Sequence, residues 1–413
     1  MKIHLFVHIL ILLTLCLVGC QADVVAPDSA SVQDKTVVAE VANEPEAVPT
    51  ELPPTSLPPT ESPPTEPSPT ELPPTEPPVP TASPEPTSQR IPSAGLFTLA
   101  SEEPVIYHND TAAAPMKLAF PGATVYHDGQ FHMFHNELAW WPSQVHVFYS
   151  TSPDGVNWTR VTEEPIFLGE ALNVPYTAFV SSVIVEPDGT WVLYFYTVDR
   201  PVMWGVITVG SIGRVTAPAP TGPWTADAEM ALTPGGQDAW DSLAVQNPSV
   251  VRIEQGYVMY YTGYSERQSA IGMATSADGI HWTKQEDPVL TGSGEQGGWD
   301  AGLLLDPQVV LTPDGWVMLY ARSYQVGKQH GAYGFAVSAD GVNWVRSEEP
   351  IASGSTVGPF IWSTDLLYHD GVYFVYVESG RVSGMGTSFS DTSTSSDADW
   401  NIFLLTHEGS LLQ

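Results

Sequence analysis

The 413-residue sequence predicts an all-β fold: a propeller of five blades, each a four-stranded antiparallel sheet, preceded by a disordered Pro/Thr/Glu-rich linker. Three observations predict it. A turn of the form Ser-x-Asp-Gly-x-x-Trp recurs at residues 152–158, 276–282 and 338–344. Looser versions, Gly222-Pro223-Trp224 and Ser396-Asp397-Ala398-Asp399-Trp400, fill the gaps, so five tryptophans stand 66, 58, 62 and 56 residues apart. Between them lie short apolar and aromatic runs broken by Asp-Gly turns, with no helical period. A period near 60 is one supersecondary unit used repeatedly, and its length suits a propeller blade with its loops.

Each unit reads in the same order. A first strand is expected at 123–126, 183–185, 249–253, 308–311 and 366–368. A tight turn follows, as in His127-Asp128-Gly129 and Pro313-Asp314-Gly315, where glycine supplies the positive φ of a hairpin. The second, aromatic-rich strand is expected at 131–135, 191–196, 257–262, 316–320 and 372–377. A third strand precedes the Ser-x-Asp-Gly turn, and the turn's Trp opens a short fourth. Blades fall at roughly 116–170, 178–233, 245–292, 303–354 and 360–410, within a propeller domain of 97–413. The turn tryptophans read as staples between neighbouring blades.

The ends carry a different message. Lys2 precedes an apolar run from Ile3 to Val18, too short for a stable spanning helix, and residues 1–19 read as a signal peptide. The run closes on Leu17-Val18-Gly19-Cys20, which resembles the bacterial lipobox. That resemblance implies cleavage before Cys20, a lipid on its sulfur, and a cell-surface or extracytoplasmic lipoprotein touching the membrane through that anchor only. The mature chain then holds a single cysteine and no disulfide. Residues 20–96 form a tether of pentads such as Glu51-Leu-Pro-Pro-Thr55, with polyproline II character and a reach of about 200 Å at most. The net charge of −33 makes nucleic acid a poor partner and favours solubility. A monomer is expected.

The stretch Trp240-Asp241-Ser242, Asn247-Pro248-Ser249-Val250, Gly256-Tyr257-Val258-Met259-Tyr260-Tyr261-Thr262-Gly263 and Ile271-Gly272-Met273-Ala274-Thr275-Ser276-Ala277-Asp278-Gly279 carries a resemblance. The next blade repeats it as Trp299-Asp300, Asp306-Pro307-Gln308-Val309 and Gly315-Trp316-Val317-Met318. Over residues 116–410 the chain resembles the five-bladed propellers of the arabinanase, levansucrase and invertase superfamily, glycoside hydrolase families 32 and 43 and their relatives. The resemblance implies a carbohydrate-active protein acting on an oligo- or polysaccharide, with three carboxylates from the first strands of blades one to three. This sequence departs from that pattern. It offers Phe120-Pro121, Val180-Ser181 and Asn247-Pro248 there, and only blade four offers Asp306-Pro307. The alternative reading is a glycan-binding lipoprotein without catalysis.

In a meander, first strands start and second strands end on one face, which gathers the candidates. They are Phe120, Val180, Asn247, Asp306 and Trp362 at the strand-one starts, and Asn136, Glu137, Asp199, Arg200, Glu266, Arg267, Arg322, Tyr324 and Glu378 past strand two. Glycoside hydrolysis needs two carboxyls flanking the bond. Asp306 is the candidate base or orienter and Glu266 the candidate acid, with Asp241, Asp300 and Glu137 in reserve. Loop aromatics stack on sugar rings, so Trp140, Trp141, Trp204 and Trp362 are candidate substrate contacts, with Arg322, Tyr324 and Asn247. No metal motif and no cofactor motif is present. A cation on the propeller axis, as in some relatives, is the one metal the architecture accommodates.

Overall fold

The computed structural model describes residues 90–108, 116–139, 144–168, 177–198, 210–323, 330–351, 361–380 and 400–412. The expected signal peptide, Cys20 and nearly all of the expected tether lie outside them.

The described chain is all strand and turn. After β1 (Thr98–Leu99), blade one holds β2 (Leu118–His127), β3 (Gln130–Leu138), β4 (His146–Ser152) and β5 (Thr159–Arg160), with β6 (Phe167–Leu168) added against β4. Blade two holds β7 (Thr177–Val185), β8 (Trp191–Val198), β9 (Ile212–Ala217) and β10 (Thr225–Ala226). Blade three holds β11 (Ala244–Ile253), β12 (Gly256–Tyr264), β13 (Ser269–Ser276) and β14 (Thr283–Lys284). Blade four holds β15 (Leu303–Thr312), β16 (Gly315–Ser323), β17 (His330–Ser338) and β18 (Val345–Arg346). Blade five holds β19 (Ile361–His369), β20 (Val372–Gly380) and β21 (Trp400–Glu408). The first strands β2, β7, β11, β15 and β19 each contact the next and close into a ring. Apolar clusters fill the wedges between blades; Tyr260, Met318 and Tyr320, for example, pack blade three on blade four.

Blade five differs from the expected plan. Trp400 opens a third strand, not a fourth. Its fourth strand comes from the other end of the domain, where β1 pairs antiparallel with β21 as Thr98↔Thr406 and Leu99↔Leu405. Ala100 N–H donates to Leu404 O at 2.9 Å and Val105 N–H to Ile402 O at 2.8 Å, so residues 98–106 line the outer edge of β21. Trp400 therefore does not open a fourth strand as the other turn tryptophans do, and residues 396–399 lie outside the described residues.

First strands also begin five or six residues before the expected positions. The reason is an irregularity repeated at one level of all five: between Pro121 and Ala123, Val180 and Ser182, Gln246 and Ser249, Leu305 and Gln308, and Ile361 and Thr364. Proline at 121, 248 and 307 reads as loop in sequence. At a bulge its missing N–H costs no ladder bond, and the strand runs through. Asn247 and Asp306 take the same left-handed backbone there, with φ of 50° and 54°. Phe120, Val180, Asn247, Asp306 and Trp362 thus lie inside the strands rather than at their starts.

The Ser-x-Asp-Gly-x-x-Trp turns hold themselves and their neighbours. In the second copy Ser276 Oγ accepts from Gly279 N–H at 2.9 Å, and Asp278 Oδ1 accepts from Ile280 and His281 N–H at 2.9 Å. A tyrosine of the preceding blade completes each staple. Tyr194 donates to Gly279 O, Tyr260 to Gly341 O and Tyr376 to Gly155 O, at 2.7, 2.7 and 2.9 Å. Each ring stands edge-on to the turn's Trp282, Trp344 or Trp158. Blade one presents Phe134 to Trp224 instead, keeping the ring contact at 5.7 Å and lacking the hydroxyl.

Candidate functional site

Polar groups close the junctions between first strands near the axis. Asn136 exchanges two bonds of 2.9 Å with the backbone of Val180, joining blades one and two. Ser182 accepts from Val250 N–H at 3.0 Å and Ser249 from Val309 N–H at 2.9 Å, joining two to three and three to four. At the last two junctions the group is a carboxyl. Asp306 accepts from the Thr364 backbone of blade five, and Asp365 faces the backbone of Thr124 in blade one. Neutral serine does this work at two junctions, so capping a backbone N–H does not require a carboxylate. The charged choice at blades four and five is the more expensive one.

Asp306 is held from several sides. Its N–H donates to Thr262 Oγ1 of blade three at 2.8 Å, and Tyr333 Oη donates to its Oδ2 at 2.7 Å. It is 2 % exposed, and that burial pushes its carboxyl up to about 6 against the pull of Tyr333 and Thr364. Asp365 is pushed up to about 7, first by burial and then by the charge of Asp306. Glu378, on β20, is held well above the usual carboxylate range by the same two causes. Asp365 Oδ2 and Glu378 Oε2 are buried and without a hydrogen-bond partner. These three acids, with Tyr196, Tyr264 and Tyr333 within reach of their field, form the one group of mutually perturbed buried carboxyls among the described residues. Tyr196 is half-buried, is hydrogen-bonded by Asn247, and stacks on Phe179 at 5.2 Å; Phe179 meets Phe120 edge-on at 6.2 Å. An aromatic wall therefore runs from the acids across blades two and one.

The other sequence candidates are placed differently. Glu266 stands exposed in the turn between β12 and β13, where Ser265 N–H bonds Gln268 O, and no hydrogen bond or ion pair joins it to Asp306. Asp241 is buried, accepting from Lys284 Nζ at 2.5 Å and Tyr261 Oη at 3.1 Å, while Trp240 stacks on Tyr261. Asp300 repeats the arrangement with two cations, Arg346 at 2.9 Å and Arg90 at 3.0 Å, plus Tyr320 at 3.1 Å under Trp299. Burial raises Asp300, but the two guanidiniums outweigh it and hold the carboxyl below its usual range. Glu137 does the same in blade one, with Arg160 at 2.5 Å and His135 at 3.1 Å, and is likewise held low despite burial. In each case one cation, Lys284, Arg346 or Arg160, sits two residues after the turn's Trp. Arg322 is half-buried on β16. Trp140, Trp141, Trp204 and Tyr324 lie outside the described residues, as does the side chain of Trp362. Among the described residues no group of three or more His, Cys, Asp or Glu is spaced to hold a metal ion.

Sequence reasoning placed Glu378 on the right face without singling it out, and missed Asp365, Tyr196 and Tyr333. The signal for Asp365 is its place one residue past the irregularity of β19, on a strand whose counterparts carry no acid there. Tyr333 sits on a third strand, where sequence alone gives no sign that it reaches the axis.

A family model for glycoside hydrolase family 130, described as beta-1,4-mannooligosaccharide phosphorylase, matches residues 172–358, which span blades two to four and under half of the chain. No protein of curated function matches. Among solved structures, one titled glycoside hydrolase aligns with a TM-score of 0.54 at 15% identity, over 74% of this chain and 94% of that one. A family 117 glycoside hydrolase from the marine bacterium Zobellia galactanivorans aligns at 0.52 and 18% identity, over 78% and 90%. A structure from a study of family 130 hydrolases that target beta-1,2 mannosidic linkages in Candida mannan aligns at 0.51 and 18% identity, over 75% and 93%. At these identities the likeness is one of fold. The chain shares the propeller fold of these glycoside hydrolases.

Proposed function

We propose that this chain is a surface-anchored glycoside hydrolase-like protein that takes an oligosaccharide at the axial acids, with Asp306 as the chemical centre. The observation that carries it is a carboxyl held in a left-handed bulge, buried, hydrogen-bonded by Tyr333 and raised to about 6. A group titrating near neutrality suits general acid–base work on a glycosidic oxygen. Mannosides are the first class to try, because the family model that matches is described by a mannooligosaccharide activity. The Phe120–Phe179–Tyr196 wall offers apolar faces on which sugar rings stack.

The test is turnover of β-1,2- and β-1,4-linked manno-oligosaccharides beside arabino-, xylo- and fructo-oligosaccharides, each with and without inorganic phosphate. Asp306→Asn should lower any turnover by 10²-fold or more, on the scale of a lost acid–base group. Activity untouched by that change removes Asp306 from the centre. The second reading, binding without catalysis, is favoured by Phe120, Val180 and Asn247 standing where first-strand acids are absent. Glycan capture without turnover, lost in Tyr196→Ala, supports it. Anchoring through Cys20 is tested by Cys20→Ala, which should move the protein from the membrane to the soluble fraction.

A further inference from the structure

Glu378 is 1 % exposed, and its Oε2 meets no hydrogen-bond donor. Glu378 stands on β20 opposite the irregularity of β19, between the pairs Val377↔Thr364 and Ser379↔Ile361. Asp306 of the neighbouring blade accepts from the backbone of that same Thr364, which brings a like charge beside Glu378. Asp365, on β19 beside it, is 4 % exposed and also leaves one oxygen unpartnered. The other titratable groups facing these acids are the tyrosines Tyr196, Tyr264 and Tyr333, all buried enough to stay neutral. No lysine, arginine or histidine among the described residues contributes to their field. Three carboxylates cannot all stay ionised together in so dry a place. Asp306 has the hydrogen bonds that suit a charge, from Tyr333 and the Thr364 backbone. Glu378 has none.

We propose that Glu378 is the proton-bearing partner of Asp306: at neutral pH Glu378 is neutral, Asp306 carries the charge, and Glu378 serves as a positioning residue that sets the pH at which Asp306 titrates. This rests on Asp306 being the chemical centre. It moves that centre to blades four and five, away from the first three. The pair titrates as one coupled unit, so a change at either acid moves the other.

The experiment is a carboxyl-carbon NMR titration of the full chain labelled with 13C at the Asp and Glu side chains. One Glu resonance should titrate well above the ordinary carboxylate range and vanish in Glu378→Gln. In Asp306→Asn it should move down by about one pH unit, a tenfold change in proton affinity. Tyr333→Phe, a milder change that keeps the ring, should move the Asp306 titration up, because it removes a donor to the charged form. A Glu378 that titrates in the ordinary range, or that ignores Asp306→Asn, overturns the proposal. So does a titration that shifts on adding calcium or a chelator, which would make the partner a cation. Loss of coupling in a protein that still binds or turns over glycan sinks this pairing alone. Intact coupling in a chain that takes no glycan sinks the glycan reading alone.

Discussion

Two sets of buried carboxyls stand a few strands apart and are treated in opposite ways. Asp241, Asp300 and Glu137 are each met by a lysine or arginine on the short fourth strand, and the two aspartates also by a tyrosine on the second. Asp306, Asp365 and Glu378 lie closer to the axis, meet no cation, and two of them keep an oxygen without a partner. The first set has its charge compensated: Asp241 and Asp300 clamp a blade to its incoming segment, and Glu137 ties the second strand of blade one to its fourth. The second set is kept uncompensated. A fold that supplies cations at three outer positions and none at the axis marks where protons can still move.

The sharpest way to break this contrast is to remove a compensated acid. Asp300→Ala takes from Arg346 its carboxylate and from Arg90 one of its two, and should cost about 3–5 kcal/mol in urea unfolding. A loss under 1 kcal/mol would mean that the clamp is ornamental. Asp241→Ala strands one partly exposed lysine, and a smaller loss of about 1–3 kcal/mol is expected in the same assay. Glu378→Gln should go the other way. Its folded carboxyl holds its proton more tightly than the unfolded one, so its contribution to stability is full below about pH 4 and lost as pH rises through the folded value. The variant should therefore match the wild type at pH 4 and exceed it by about 1–2 kcal/mol at pH 8, by thermal melts across pH. A deficit that is constant with pH points to packing rather than charge. The smallest effect is expected at the turns. Ser338→Ala removes the hydroxyl that accepts from Gly341 N–H, costing about 1 kcal/mol and leaving any glycan affinity unchanged.

The sequence spoke most clearly where local chemistry repeats. Ser-x-Asp-Gly-x-x-Trp encodes its own turn through bonds within four residues, so the blade count and the staple role are legible without a structure. The tyrosine half of each staple was not, because Tyr194, Tyr260 and Tyr376 arrive from a neighbouring blade. First-strand boundaries were obscured because proline at 121, 248 and 307 signals loop locally, while the ring of strands imposes a bulge. Asp306 was visible because it stands before a proline in a repeated frame. Glu378 and Asp365 were not singled out, since what distinguishes them is missing partners, and the lack of a cation nearby is a property of three dimensions only. The pairing of Asp241 with Lys284 and of Asp300 with Arg346 had a readable trace in the basic residue two places after Trp.

The union of β1 with β21 has a consequence for how the molecule is made. Blades two, three and four are each contiguous in the chain and can form as they emerge from the ribosome. Blade five cannot finish until a strand made about 300 residues earlier comes back to meet the last one. Residues 98–106 wait for that partner until the end of synthesis, which is a slow, long-range search. During that interval β21 is a bare sheet edge, open to pairing with another chain. The sequence immediately upstream is acidic, and like charges there oppose the approach of another copy.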